Sequence, residues 1–249
     1  MNKLVVLAIR ELKSIFYSPI AYVVGAIFAL LHGYTFWILV NVVNNPMGEV
    51  SENMVELLFG GTLFFWLGIL IIIPIITMRT ISEEKKSGTI ELLFTSPLSD
   101  FEIILAKFLG VFCFYVLLWV PTFFHIAFIA IYGKALDYNV VFTSYLATFL
   151  TGAVMISFGI MFSCLTKNQI IAAVLTFAAL VAMFSIGFVN LFSQSAALTK
   201  VLNYVWVIGH FQDFTKGLVD IKRIVYYMSL IGFNIFLSVQ ILGSRNWKN

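Results

Sequence analysis

The chain has 249 residues, of which 61% are hydrophobic and 11% charged, and its mean hydropathy is +1.00. Soluble domains carry about 45–50% apolar and about 25% charged residues, so a soluble globular fold is excluded. Disorder, which needs low hydrophobicity, and a disulfide scaffold, which two cysteines cannot build, are excluded too.

Residues 1–17 open the chain as a basic amphipathic helix. Leu4, Val5, Ala8, Ile9, Leu12, Ile15 and Phe16 recur at helical spacing, and Lys3, Arg10, Lys13, Ser14 and Tyr17 fall on the other face. Such a helix lies in a membrane surface. Pro19 breaks it from the first span.

A spanning helix needs about 20 mostly apolar residues. Runs free of Asp, Glu, Lys and Arg cover 14–48, 57–78, 108–133, 138–166, 168–199 and 224–244, each long enough for one helix. The fold class is therefore an all-α integral membrane protein with six spans in a single domain, 1–249. The run 201–212 is too short to span, and with its flanks (197–223) it reads as a re-entrant outer segment with Trp206 at the interface. Apolar residues on every face of the runs exclude a β-barrel. Gly25, Gly68, Gly110, Gly152, Gly159 and Gly187 suit close helix approach, and Thr77, Ser157, Ser163 and Ser185 suit contacts between helices.

Orientation follows from the basic residues. With the N-terminus inside, Lys3, Arg10, Lys13, Arg79, Lys85, Lys86, Lys107, Lys167, Arg245 and Lys248 fall inside, against Lys134, Lys200, Lys216, Lys222 and Arg223 outside. Both termini are expected in the cytoplasm. Topology and anionic lipid account for the inner bases, so no nucleic-acid partner is expected. Cys113 and Cys164 read as packed thiols.

The loop 79–101 is the longest inner connection. The helix continuing from the second span is expected to break at Gly88, and a short helix over 89–95 to follow, ended by Pro97. Ser99 and Glu102 form a capping box for the third span. Ile90, Leu93 and Phe94 share one face, which suits either a protein partner or the protein's own helices and lipid.

The chain contains no P-loop, no H-E-x-x-H and no G-x-S-x-G, so it is not expected to be an enzyme or to hold a metal or cofactor. The charge-free spans weigh against proton relays and ion-coupled carriers. His32, His125 and His210 leave one alternative, a histidine-based membrane redox protein.

Glu84-Lys85-Lys86-Ser87-Gly88-Thr89-Ile90-Glu91-Leu92-Leu93-Phe94-Thr95-Ser96-Pro97-Leu98 resembles the E-[KR]-x-x-G-T-x-E-L-L-x-[TS]-x-P-[LV] signature of type 2 ABC exporter permeases. His210-Phe211-Gln212-Asp213-Phe214-Thr215-Lys216-Gly217-Leu218-Val219-Asp220 is similar to the segment before the last span in the gliding-motility-associated branch. The resemblance implies a permease of the bacterial cytoplasmic membrane that exports cargo, apolar or lipid-linked given the uncharged spans. Two ABC ATPase subunits would hold ATP and Mg and dock below. A second permease subunit, identical or different, would complete the pathway, and a membrane subunit with a large extracytoplasmic part would accompany it. Residues 1–18 would be the interfacial elbow helix, with Arg10 and Lys13 on its basic face. The short helix in 79–101 would be the coupling helix, meeting the ATPase through Glu83, Glu84, Gly88, Thr89, Ile90, Glu91, Leu93 and Phe94. A non-transporting anchor of an ATPase-driven machine has the same architecture.

Overall fold

Ser18 separates the first two helices. Helix α1 (Lys3–Tyr17) stops there, the Ser18 backbone turns extended, and its hydroxyl accepts the Ile20 N–H to start α2 (Pro19–Val43). Pro19 occupies the first helical position, where a missing N–H costs nothing. The computed structural model describes residues 3–44, 54–94, 98–132, 136–192 and 196–244, without the side chains of 92, 94, 188, 190–192, 196 and 197.

The second span is built in pieces. After α3 (Met54–Leu58) the chain turns through Gly60, at φ 87°, and Thr62 caps α4 (Leu63–Thr77). The Trp66 indole N–H closes the turn on the Gly60 carbonyl at 2.9 Å. Beyond α4 come α5 (Ser82–Ser87) and α6 (Ile90–Phe94). The third span is also broken: α7 (Asp100–Leu118) and α8 (Thr122–Tyr132) meet at a turn through Pro121. The apolar pattern reads one helix in each of these runs; Gly60 and Pro121 split them. The remaining helices are α9 (Tyr138–Leu165), α10 (Gln169–Phe192), α11 (Ala196–Val205), α12 (Val207–Thr215) and α13 (Ile221–Gly243).

Six segments are long and apolar enough to cross a membrane: Pro19–Val43, Met54–Ser87, Asp100–Tyr132, Tyr138–Leu165, Gln169–Gly187 and Ile221–Gly243. No strand occurs among the described residues. Helix α9 is the hub, packing on α13, α12, α10, α4 and α7. Two of its glycines carry that role. A Cβ on Gly152 would meet the Tyr115 ring at 2.2 Å, and one on Gly159 would meet Thr77 Oγ1 at 2.2 Å. Gly25 and Gly68, by contrast, have ordinary spacing.

Polar groups pair across the interior. Asn234 donates to Ser157 Oγ at 3.0 Å, and Thr151 Oγ1 donates to the Tyr227 hydroxyl at 3.3 Å. That hydroxyl donates on to the Val207 carbonyl at 2.9 Å, fastening α12 to α13. Thr77 packs between α4 and α9 against Gly159, as expected, with its hydroxyl on the Ile73 carbonyl of its own helix, whereas Ser185 is exposed and bonds only a carbonyl of its own helix.

Candidate functional site

The connection between α4 and α7 is held by a few specific bonds. After Thr77 the chain turns, and the N–H groups of Ile81 and Ser82 both reach Ser163 Oγ on α9 at 3.1 Å. The same hydroxyl donates to the Met78 carbonyl at 3.2 Å. One side chain thus satisfies the backbone groups that the break exposes. The sequence reading continues the helix of the second span past its apolar run to Gly88; the structure interrupts it between α4 and α5. Lys85 adds a second tie, its ammonium donating to the Cys164 carbonyl near the end of α9. A cation at a helix C-terminus is favourable in its own right.

Gly88 ends α5 in the left-handed region, at φ 76°, which a side chain would strain. Helix α6 comes next, and the chain re-enters the bundle through the Ser99 capping box. The Ser99 N–H donates to Glu102 Oε2 at 2.8 Å, and the Glu102 N–H donates to Ser99 Oγ at 3.2 Å.

The candidate residues of this segment do not share one surface. Thr89 and Glu91 are exposed, and Glu83 is exposed opposite Arg79 at 4.0 Å. Ile90 is half-buried, and Leu93 is buried in the protein's own core. The side chain of Phe94 and residues 95–97, with Pro97, lie outside the described residues.

Glu84 turns inward. Its Oε1 takes the Lys107 ammonium at 2.8 Å, and Glu11 on α1 takes the same ammonium at 3.2 Å. The lysine side chain is 1% exposed and the two glutamates 16% and 14%. A buried cation needs such partners. Lys107 lies inside α7, directly before the charge-free run 108–133. Helix α1 comes close enough to supply Glu11 because Gly110 has no side chain; a Cβ there would meet Glu11 Cβ at 2.7 Å.

The apolar face expected of α1 divides. Leu4, Leu7, Ala8, Leu12 and Ile15 pack inward against the core, whereas Val5, Ile9 and Phe16 stay exposed. Arg10 and Lys13 are exposed. A cavity of about 780 Å³ lies between α1, α2, α4, α5 and α7, with Arg10, Glu11, Arg79, Glu83 and Glu84 in its wall.

A family model described as ABC-2 family transporter protein matches residues 37–242, from within α2 nearly to the end of α13. The chain belongs to the ABC-2 transporter family. No curated protein matches it. An ABC-2 membrane domain is the permease part of an ABC transporter, so a multi-pass membrane position and partnership with an ABC ATPase follow from membership. The matched residues include the whole α4–α7 connection; α1 lies before them.

The histidines of this ABC-2 chain sit in aromatic surroundings. His32 is buried against Phe28 at 4.2 Å and Trp119 at 4.8 Å, and His125 stacks on Phe36 at 4.5 Å. His210 lies on α12, edge-on to Tyr226 at 5.1 Å. Among the described residues no group of three or more His, Cys, Asp or Glu is placed to hold a metal. Trp206, expected at an interface, marks the break between α11 and α12 and lies where a Cβ on Gly187 would meet it at 2.6 Å.

Proposed function

We propose that the chain is the permease subunit of an ATP-driven exporter of the bacterial cytoplasmic membrane, with α6 as its coupling helix. Both termini and the α4–α7 connection lie on the cytoplasmic side. Two ATPase subunits, each with ATP and Mg, dock on the exposed residues of that connection, Glu83, Gly88, Thr89 and Glu91. Leu93 and Glu84 act behind that surface and transmit its movement to α7 and α1. Helix α1 is the elbow helix, with Arg10 and Lys13 toward the headgroups. The pair α11–α12 forms a re-entrant outer segment. A second permease subunit completes the pathway, and the chain follows the pattern of the gliding-motility-associated branch, with a further subunit carrying an extracytoplasmic part. Cargo is apolar or lipid-linked.

The observation that carries this reading is the attachment of α5 to the bundle. Ser163, Cys164 and Lys107 hold it from two spans, so a push on α6 reaches α9 and α7 through bonds rather than through a slack loop. Two-state rocking of packed helices is the expected response.

The test is purification of the tagged chain in mild detergent, with mass spectrometry of its companions. A stoichiometric P-loop ATPase is expected. Glu83→Lys with Glu91→Lys should release it while leaving the melting temperature of the permease unchanged. A chain that emerges alone and indifferent to ATP after crosslinking would end this proposal. ATPase binding without cargo movement would identify the non-transporting anchor instead.

A further inference from the structure

The cavity beside α1 has a polarity gradient built into its walls. Helix α4 runs toward the α5–α6 end of the bundle and contributes Ile75 and Ile76, and the chain beyond it contributes Arg79 and then Glu83. On α7, which runs the opposite way, the cavity is lined by Val111 and Phe114. The part between α4 and α7 is therefore apolar, and the α5–α6 end carries the charged groups together with Leu93 and Leu98, in a space of about 780 Å³. That is the size and character of a site for an amphiphile.

The charges favour one kind of head. Two of the three carboxylates in the wall, Glu11 and Glu84, are held by Lys107. Arg79 meets Glu83 only at 4.0 Å, and it donates to Ser18 Oγ at 3.3 Å. Arg10 acts on Glu84 only from beyond ion-pair distance and forms no ion pair among the described residues. Two guanidinium groups with donors to spare, and the hydroxyl of Ser14, line the one cavity. Guanidinium forks bind phosphate oxygens bidentately, and they do so better than an ammonium does.

We infer that this cavity holds a phospholipid from the adjoining leaflet, with its phosphodiester on Arg10 and Arg79 and one acyl chain running down past Ile76 to Phe114. The lipid wedges between α1 and the α4–α5 joint. It is a resident ligand rather than cargo, and it does not depend on the ATPase reading: a chain that binds no ATPase would still bind the lipid.

The experiment is native mass spectrometry of the full chain in dodecyl maltoside. The chain is titrated separately with dioleoyl phosphatidylglycerol, dioleoyl phosphatidylethanolamine, dioleoylglycerol and inorganic phosphate. Both phospholipids should bind one per chain, at least tenfold more tightly than dioleoylglycerol. Arg10→Gln with Arg79→Gln should remove that preference, and Lys13→Gln, outside the cavity wall, should change it less than twofold. Ser14→Trp, which fills the cavity from its wall and alters no ion-pair member, should abolish binding and serves if the arginine variant does not fold. Equal binding of dioleoylglycerol, or undiminished binding by either cavity variant, would overturn the proposal. Inorganic phosphate competing as well as the lipids would overturn it in favour of a soluble-anion site.

Discussion

Lys107 donates to Glu84 at 2.8 Å and so joins the third spanning segment to the connection that precedes it. Glu11 closes the group from α1 at 3.2 Å. Removing one member of a buried ion cluster strands the others, which costs about 3–5 kcal/mol. Lys107→Met should therefore lower the apparent melting temperature of the purified chain more than Lys107→Met combined with Glu84→Gln and Glu11→Gln. A single variant that melts like the wild type would remove the cluster from the list of stabilising features.

Ser163→Ala deletes the acceptor for two backbone N–H groups. Leaving buried donors unsatisfied costs about 1–3 kcal/mol. Amide exchange at Ile81 and Ser82 should accelerate well before global unfolding. Unchanged protection there would mean that another group takes over the turn.

Gly159→Ala should destabilise strongly, because its Cβ would meet Thr77 Oγ1 at 2.2 Å and Thr77 Cβ at 2.6 Å, within a packed joint between α9 and α4. Gly33→Ala and Gly232→Ala meet nothing within 4 Å and should be neutral or mildly stabilising, since alanine is the better helix former. Thermal melts of the three variants, side by side, test the contrast.

His210 titrates below its ordinary value of 6.5, chiefly because burial disfavours the charged ring and secondarily because Arg223 is near. The folded segment thus prefers the neutral ring. Its stability is complete above about pH 6.5 and declines as pH falls below that value, where a released imidazole takes up a proton. Protection of the amides across 207–215, taken relative to the intrinsic exchange rate at each pH, should fall between pH 7.5 and 5.5, and His210→Phe should flatten the dependence. Protection that is the same at both values would contradict the assignment.

The six spans, the break at Ser18–Pro19 and the Ser99–Glu102 cap were legible because each rests on a local signal: a long apolar run, a proline, or an acid at a fixed offset. The breaks within the second and third spans were less so, since the apolar run continues unbroken through Gly60 and Pro121. The resemblance puts Glu84 on the ATPase contact, and periodicity gives Leu93 a face but not its partner; in the structure one is turned to Lys107 and the other to the core. Lys107 itself carried a usable signal. It comes after Ile103, Ile104, Leu105 and Ala106 and precedes Phe108 and Leu109, so a helix begun at Ser99 already places it among apolar neighbours. Which acids would meet it is a long-range fact, as is the role of Ser163, distant in sequence from the turn it holds.

Helix α9 is 28 residues long, about 42 Å at 1.5 Å per residue, and so exceeds the roughly 30 Å of a bilayer's hydrocarbon. Ser163 and the Cys164 carbonyl engage the α5 joint near one end, and Thr151 engages Tyr227, which holds α12, farther along the same helix. The two attachments belong to one continuous rod. A change of tilt imposed at the α5 joint therefore has a fulcrum inside the bundle, and α12 is displaced as the rod pivots, with no relay of separate side-chain rearrangements between them.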